Sequence, residues 1–259
     1  MSKLCQTFIR QAIWTWKTLD RAWTWDANLG EESLTDFNLL EVIEGHRGEV
    51  LTKTFSKRKE AKKGGDWEWW FIGPNGISIG FRIQAKILDK NTGRFEHLHY
   101  GSKKKGYQSD ILCDRAKLVR GLIPLYCLYT SGQMPPRTSQ RHLCFPYPDE
   151  LYGCSLVDAF LIPQLRTKNE KRLVSIFPNM VPWHCLVCCN PDGNSDELPL
   201  RAFAFWNERI RKKGIDREQF LAKPTKELPY YVRHLLEGKL VEPPDADLRS
   251  VTIFRDLSR

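Results

Sequence analysis

The chain has 259 residues and a formal net charge of +9, from 40 Lys and Arg against 31 Asp and Glu. Apolar residues make up 41 %, with nine Trp and thirteen Phe, enough for a real core. No apolar run approaches the roughly 20 residues that span a bilayer, and the N-terminus has no secretory apolar stretch followed by a small-residue cleavage site. The basic balance favours a polyanion such as nucleic acid as partner and gives no reason to expect a membrane. Eight Cys without a signal sequence predict a reducing compartment, cytoplasmic or, in a eukaryote, nuclear, with thiols free or metal-bound.

Leu4, Phe8, Ile9, Ala12, Ile13, Trp16, Leu19 and Trp23 recur at helical spacing. They predict an amphipathic helix, within residues 1–30, that packs on the domain. Ser33 or Thr35 then caps a second helix with Leu39, Leu40 and Ile43 on its apolar face. GEVLTKTF reads as a strand, GGDWEWWFIG as a second and ISIGFRIQAKIL as a third, the last two joined by a turn at Pro74-Asn75-Gly76. After a polar loop, YQSDILCDRAKLVR reads as a helix and IPLYCLYT as a buried strand. The order is α-β-β-β-α-β, which defines an α/β core over residues 31–130 with a mixed central sheet between helices. Residues 131–259 are expected to elaborate the same sheet. LYGCSLVDAFLIPQL is expected to form a short helix, LPLRAFAFWNERIRKKG and ELPYYVRHLLEGKL two more, and VTIFRDL a final edge strand.

The turn carries the functional reading. Pro, Asn and Gly suit the three places of a three-residue hairpin loop, the Gly taking positive φ. Gly73 then faces Ile77, Asp66 faces Gln84 and Glu68 faces Arg82. Cross-strand partners share a face, as do residues two apart. Asp66, Glu68, Gln84 and Lys86 therefore project from one side. Mg²⁺ (or Mn²⁺) takes oxygen ligands. Asp66 offers a carboxylate, Gln84 an amide oxygen and Ala85 its backbone carbonyl. Lys86 can orient or deprotonate a water, or neutralise charge on a phosphate in reaction. An acid from the helix before the strands commonly completes such a site. Glu41 and Glu44 are the candidates, with Glu32 and Glu60 as fallbacks.

GGDWEWW followed by RIQAK resembles the D…QxK variant of the PD-(D/E)xK nuclease superfamily, as seen in Mrr-like restriction endonucleases. The resemblance spans about residues 31 to 130. More narrowly, the chain resembles an uncharacterised bacterial and fungal domain family marked by GADWEWW and VQAK, through PLYCLY, YGCS and PWHCLVCC. The superfamily resemblance implies a restriction-endonuclease-like core, a metal-dependent cut of a phosphodiester in DNA, and a setting in defence against foreign DNA. It implies Asp66, Gln84 and Lys86 as the core site, and Gln108, at the start of the next helix, as a residue near the scissile phosphate.

Alternation sets Trp67 and Trp69 on the face opposite Asp66, under helices, and Trp70 on its own face, where it could stack on a base. Lys57, Arg58, Lys59, Lys62 and Lys63 lead into Asp66, and Lys103, Lys104 and Lys105 lie between the QxK strand and its helix. Both groups are candidate phosphate contacts. Arg209, Arg211, Lys212 and Lys213 form a third group. Cys185 and Cys188 make a lone CxxC beside His184, a weak zinc motif for which Cys144 and Cys154 are the nearest further ligands. Two other functions fit the sequence: a nucleic-acid-binding module without catalysis, and a zinc-stabilised interaction scaffold.

Overall fold

In the computed structural model the expected order is built around one mixed sheet of seven strands. The structure describes residues 2–55, 66–136, 148–190, 196–210, 222–242, 244–245 and 247–256, with only the backbone of Asp66. Helices α1 (Lys3–Thr24) and α2 (Glu31–Gly45) precede strands β1 (Val50–Thr54), β2 (Asp66–Ile72) and β3 (Ser78–Ile87). A two-strand hairpin, β4 (Gly101–Ser102) and β5 (Gly106–Tyr107), leads into α3 (Gln108–Lys117) and β6 (Leu122–Tyr129). Then come β7 (Cys154–Asp158), α4 (Leu161–Thr167), α5 (Leu173–Ile176), β8 (Val181–Pro182), α6 (Cys185–Cys188), α7 (Leu198–Phe205), α8 (Tyr230–Leu236) and β9 (Leu248–Arg255). The fold is α/β.

The sheet runs β1-β9-β2-β3-β6-β7-β8. β2 and β3 are antiparallel, and β3 and β6 are parallel, so α3 is a crossover helix lying on the sheet. The last strand is not at an edge, as the sequence reading expected. β9 enters between β1 and β2, antiparallel to the first and parallel to the second. Val251, Thr252, Ile253 and Phe254 are all buried, as in a strand covered on both faces. LYGCSLVDAFLIPQL is likewise not one helix but a 3₁₀ turn, then β7, then α4. Its buried centre, Ser155 to Val157, pairs with β6. The C-terminal half thus supplies three strands to the same sheet.

One face of the sheet is apolar and aromatic. Trp67, Trp69 and Phe71 from β2 and Ile79, Phe81, Ile83 and Ala85 from β3 form the main core with Phe8 and Ala12 of α1. Phe8 stacks at 5.3 Å from Trp69 and 4.8 Å from Trp183, whose indole nitrogen donates to the Phe8 carbonyl at 2.7 Å. The helical spacing of α1 is therefore the spacing of a docked helix. Among the described residues no helix is long and apolar enough to cross a membrane.

Two devices fasten α1. Gly153 lets it approach: a Cβ there would lie 2.0 Å from the Ala12 carbonyl oxygen and 2.8 Å from the Trp16 nitrogen. A disulfide joins Cys5 to Cys188 on α6 across 183 residues. The expectation that the thiols are free or metal-bound is thus corrected for Cys5 and Cys188, and for Cys189, which is also disulfide-bonded; Cys113, Cys127, Cys154 and Cys185 are free.

Gly153→Ala forces the α1 backbone away and is expected to cost about 2–3 kcal/mol, read as a lower urea midpoint. Cys5→Ser removes a very long loop closure and is expected to cost about 2–5 kcal/mol. A thiol reductant also breaks the disulfide of Cys189, so reduced wild type should melt at or below the temperature of the variant; an unchanged temperature in both would deny the Cys5–Cys188 cross-link a role.

Candidate active-site cleft

The β2–β3 hairpin sets the site. The Gly73 nitrogen donates to the Ile77 carbonyl at 2.8 Å, the Gly76 nitrogen donates to the Gly73 carbonyl at 3.0 Å, and Gly76 has φ +75°. This is the three-residue loop that Pro-Asn-Gly demands. Trp67 pairs with Ile83 and Glu68 with Arg82. The β2–β3 pairing ends at Trp67 and Ile83; Asp66 pairs instead with Leu248 of β9, whose register against β2 shifts between Asp66 and Trp67.

The second face of the hairpin is polar along β3 and changes character with position. At its inner end Gly80 gives room to Trp70; a Cβ would lie 2.7 Å from the indole. Trp70 is fully buried and does not offer its ring to a ligand. Its Nε1 donates to Glu68 at 2.9 Å, and the Tyr231 hydroxyl of α8 donates to the same carboxylate at 2.7 Å. Arg82 lies 3.6 Å from Glu68 and forms a two-pronged pair with Asp245 at 2.7 and 2.8 Å. Arg115 of α3 bonds Asp245 at 3.0 Å and also pairs with Asp247. Glu68, expected at the site, is therefore a buried structural carboxylate. Alternation put it on the right face, but α8 covers that part of the face. Burial pushes its pKa up, against the opposing pull of Arg82, Trp70 and Tyr231.

At the outer end β3 opens into a cleft of about 810 Å³. Lys86 and Gln108 line it, together with the start of α2 and the end of α1. Lys86 is 4 % exposed and lies in the wall; Gln84, 1 % exposed, lies behind it and does not itself line the cleft. The Gln108 amide donates to the Gln84 side-chain oxygen at 2.6 Å, and the Gln84 amide donates to the Ala85 carbonyl at 3.2 Å. Lys86 Nζ lies 3.4 Å from Glu31. The structure thus brings Gln84, Ala85, Lys86 and Gln108 together, beside the backbone start of β2.

The acid from the preceding helix is Glu31, which the sequence reading did not name. Glu41 and Glu44 are exposed farther along α2 and do not line the cleft. The helix starts earlier than Ser33 or Thr35 suggested, with Gly30 at its N-cap and no side-chain cap bond. That moves its first turn, Glu31 and Glu32, to the cleft mouth. An acidic pair at a helix N-terminus is favoured by the helix dipole, and this is the signal that could have located Glu31.

Lys103, Lys104 and Lys105 are exposed on the β4–β5 turn, immediately before Gln108. Lys57, Arg58, Lys59, Glu60, Lys62, Lys63, Arg211, Lys212, Lys213 and Cys144 lie outside the described residues. Arg209 is 3.9 Å from Glu208 and does not line the cleft. The proposed zinc ligand Cys188 is consumed by its bond to Cys5, which removes the thiolate a zinc site needs. Cys185 is buried, with its sulfur 3.7 Å from His184 Nε2, and burial pushes His184 down to about 4. Cys154 is buried against Thr15.

Fold and cleft together define an α/β protein with a polar site at the carboxyl end of β3, fed by a crossover helix. The chain belongs to a family of unknown function, DUF6615, whose model matches residues 4–259. No curated protein and no solved structure matches it.

Glu68→Ala removes the acceptor of two buried donors, Trp70 Nε1 and the Tyr231 hydroxyl, and one carboxylate beside Arg82. The expected cost is about 3–5 kcal/mol, measured by urea denaturation. Burial pushes Asp245 up, but the hydrogen bonds and charges of Arg82 and Arg115 outweigh it, and its carboxyl sits below the ordinary 3.8. A depressed acid contributes stability above its unfolded pKa that is lost as pH falls through the folded one. Asp245→Asn should therefore lower stability at pH 7 and lose less than wild type between about pH 5 and pH 2; parallel pH profiles would contradict this.

Proposed function

We propose that this protein is a metal-dependent nuclease that hydrolyses phosphodiester bonds in nucleic acid, DNA in the first instance. The observation that carries the reading is the hairpin register. Carried one pair beyond Trp67 and Ile83, it would set Asp66 across from Gln84, with Lys86 two residues on, at a cleft lined also by Glu31 and Gln108. This matches the D…QxK pattern of PD-(D/E)xK nucleases in residue type and in the order of elements. The net charge of +9 and the lysine-rich turn before Gln108 suit a phosphodiester substrate.

The donor chemistry fits a hard divalent cation. Asp66 and Glu31 supply carboxylates, Gln84 an amide oxygen and Ala85 a carbonyl, all oxygen ligands of the kind Mg²⁺ or Mn²⁺ takes. Such an ion would supply Lewis-acid charge and ease deprotonation of water. Lys86 would hold the attacking water or a phosphate oxygen through its ammonium, with Glu31 fixing the Lys86 side chain. Gln108 would orient the Gln84 amide so that its oxygen stays toward the cleft wall. Defence against foreign DNA is the setting that the resemblance suggests.

A second reading has one observation in its favour. Gln84 accepts from Gln108 and Lys86 pairs with Glu31, so each of these side chains already has a partner within the protein. A nucleic-acid-binding module without catalysis would retain such a network. The zinc-scaffold alternative loses its ligand Cys188 to the disulfide.

The test incubates wild type, Asp66→Ala and Lys86→Ala with linear and circular DNA, single-stranded DNA and RNA, in Mg²⁺, Mn²⁺ or EDTA. Wild-type cleavage that needs metal and falls roughly 10²–10⁴-fold in both variants, with circular dichroism unchanged, is expected. Binding without product in every metal would select the non-catalytic module.

A further inference from the structure

We infer that the cleft beside Lys86 is a pocket for an unpaired nucleotide, so that the substrate is a single strand, or a strand end splayed from a duplex, rather than intact duplex. This rests on the nucleic-acid reading above.

Size is the first consideration. Lys86 is almost wholly covered and lines the cleft. A volume of about 810 Å³ lies within the range that encloses a small organic ligand, roughly 300–1,000 Å³. It admits roughly one or two nucleotides and not a duplex segment, whose stacked pairs keep each base out of reach of a recessed group.

The walls are the second. Trp23 from the end of α1 and Tyr100 from the loop before β4 both line the cleft. Tyr100 is 41 % exposed, and Lys90 Nζ lies 6.0 Å from the centre of the Trp23 ring. Aromatic faces flanked by cations are what unpaired bases stack on, whatever their sequence.

Charge is the third. Five carboxylates line the cleft, and alone they would repel a phosphate. Three are matched: Glu31 by Lys86 at 3.4 Å, Glu32 by Arg249 at 3.4 Å and Glu96 by Lys171 at 3.8 Å. Asp89 turns its carboxylate back to the Thr92 nitrogen at 2.9 Å, and Asp26 and Lys90 also line the cleft. The interior keeps a slight negative balance, since Arg249 also pairs with Asp36, and this favours an uncharged base over a phosphate inside it. The uncompensated cations, Lys103, Lys104 and Lys105, stand on the turn outside it, where the continuing backbone of a strand would run.

The experiment measures binding in EDTA, so that no cleavage intervenes. A labelled single-stranded 12-mer and the matching blunt duplex are titrated with wild type, Tyr100→Ala, Tyr100→Phe and Trp23→Phe. Tyr100 is exposed enough for its variants to fold; Trp23 packs on the core and is changed only to Phe. Single strand is expected to bind about tenfold more tightly than duplex, Tyr100→Ala to lose about five- to tenfold on single strand alone, and Tyr100→Phe to restore it. Equal affinity for both forms, no effect of Tyr100→Ala, or no binding to either overturns the pocket. The two readings fail separately. Single-strand preference without cleavage in any metal removes the nuclease and leaves the pocket. Cleavage of single strand and duplex alike, dependent on Lys86 but not on Tyr100, removes the pocket and leaves the nuclease.

Discussion

The backbone register between β2 and β3 is the constraint on which the site depends. Side chains alternate along a strand, so a slip of one residue would move every group on the hairpin to the other face. Trp67 and Trp69 would then leave the aromatic core, and Gln84 and Lys86 would be driven into it. The register is held at both ends of the loop. The Gly73–Ile77 and Gly76–Gly73 hydrogen bonds close the turn, and Asn75 donates to Glu197 at 2.7 Å, tying the tip to the start of α7. Burial of the tryptophans and the geometry of the loop therefore select the same pairing, and agreement between local and tertiary preferences is what makes one arrangement win.

That pairing divides the polar face of β3 into two regions with different physics. Near Arg82 the face lies beneath α3 and α8. Charges removed from water there must be matched, and Glu68, Arg82, Asp245 and Arg115 match them in a continuous chain. Near Lys86 the covering helices end and the strand meets the cleft. A charge there keeps access to solvent and to a ligand while still being held by a partner. The same alternation thus yields a structural ion network and a candidate reactive group only four residues apart, and helix coverage decides which is which.

Much of this was legible in the sequence because it depends on local chemistry. Pro-Asn-Gly specifies its loop, the loop specifies the pairing, and the pairing groups Gln84 and Lys86. Gln108 was placed by its position at the start of the crossover helix. The hidden features depend on distant contacts. Nothing in VTIFRDL says that β1 and β2 leave a gap for it; buried parallel strands and edge strands can share a composition. Glu68 has the right parity for a site and is withdrawn from it by Tyr231, 163 residues away. Cys5 and Cys188 meet because α1 docks across the sheet, and a CxxC spacing cannot distinguish a metal knuckle from two sulfurs with separate fates. The α2 start was misplaced by a more modest effect. A glycine N-cap has no side chain to announce itself, so Ser33 and Thr35 drew the boundary inward and Glu31 with it.

The docking of α1 connects these features to the cleft. Its N-terminal part is fixed by the disulfide, by Phe8 between two tryptophans and by the close approach at Gly153. Its last turns carry Leu19, Ala22 and Trp23, which form part of the cleft wall. A helix is stiff over such a length, so anchoring one end constrains the other. The amphipathic N-terminal helix is thus not an appendage to an α-β-β-β-α-β core. It supplies a wall of the cleft, and the C-terminal half supplies the strand, the helix and the sulfur that hold that wall in place.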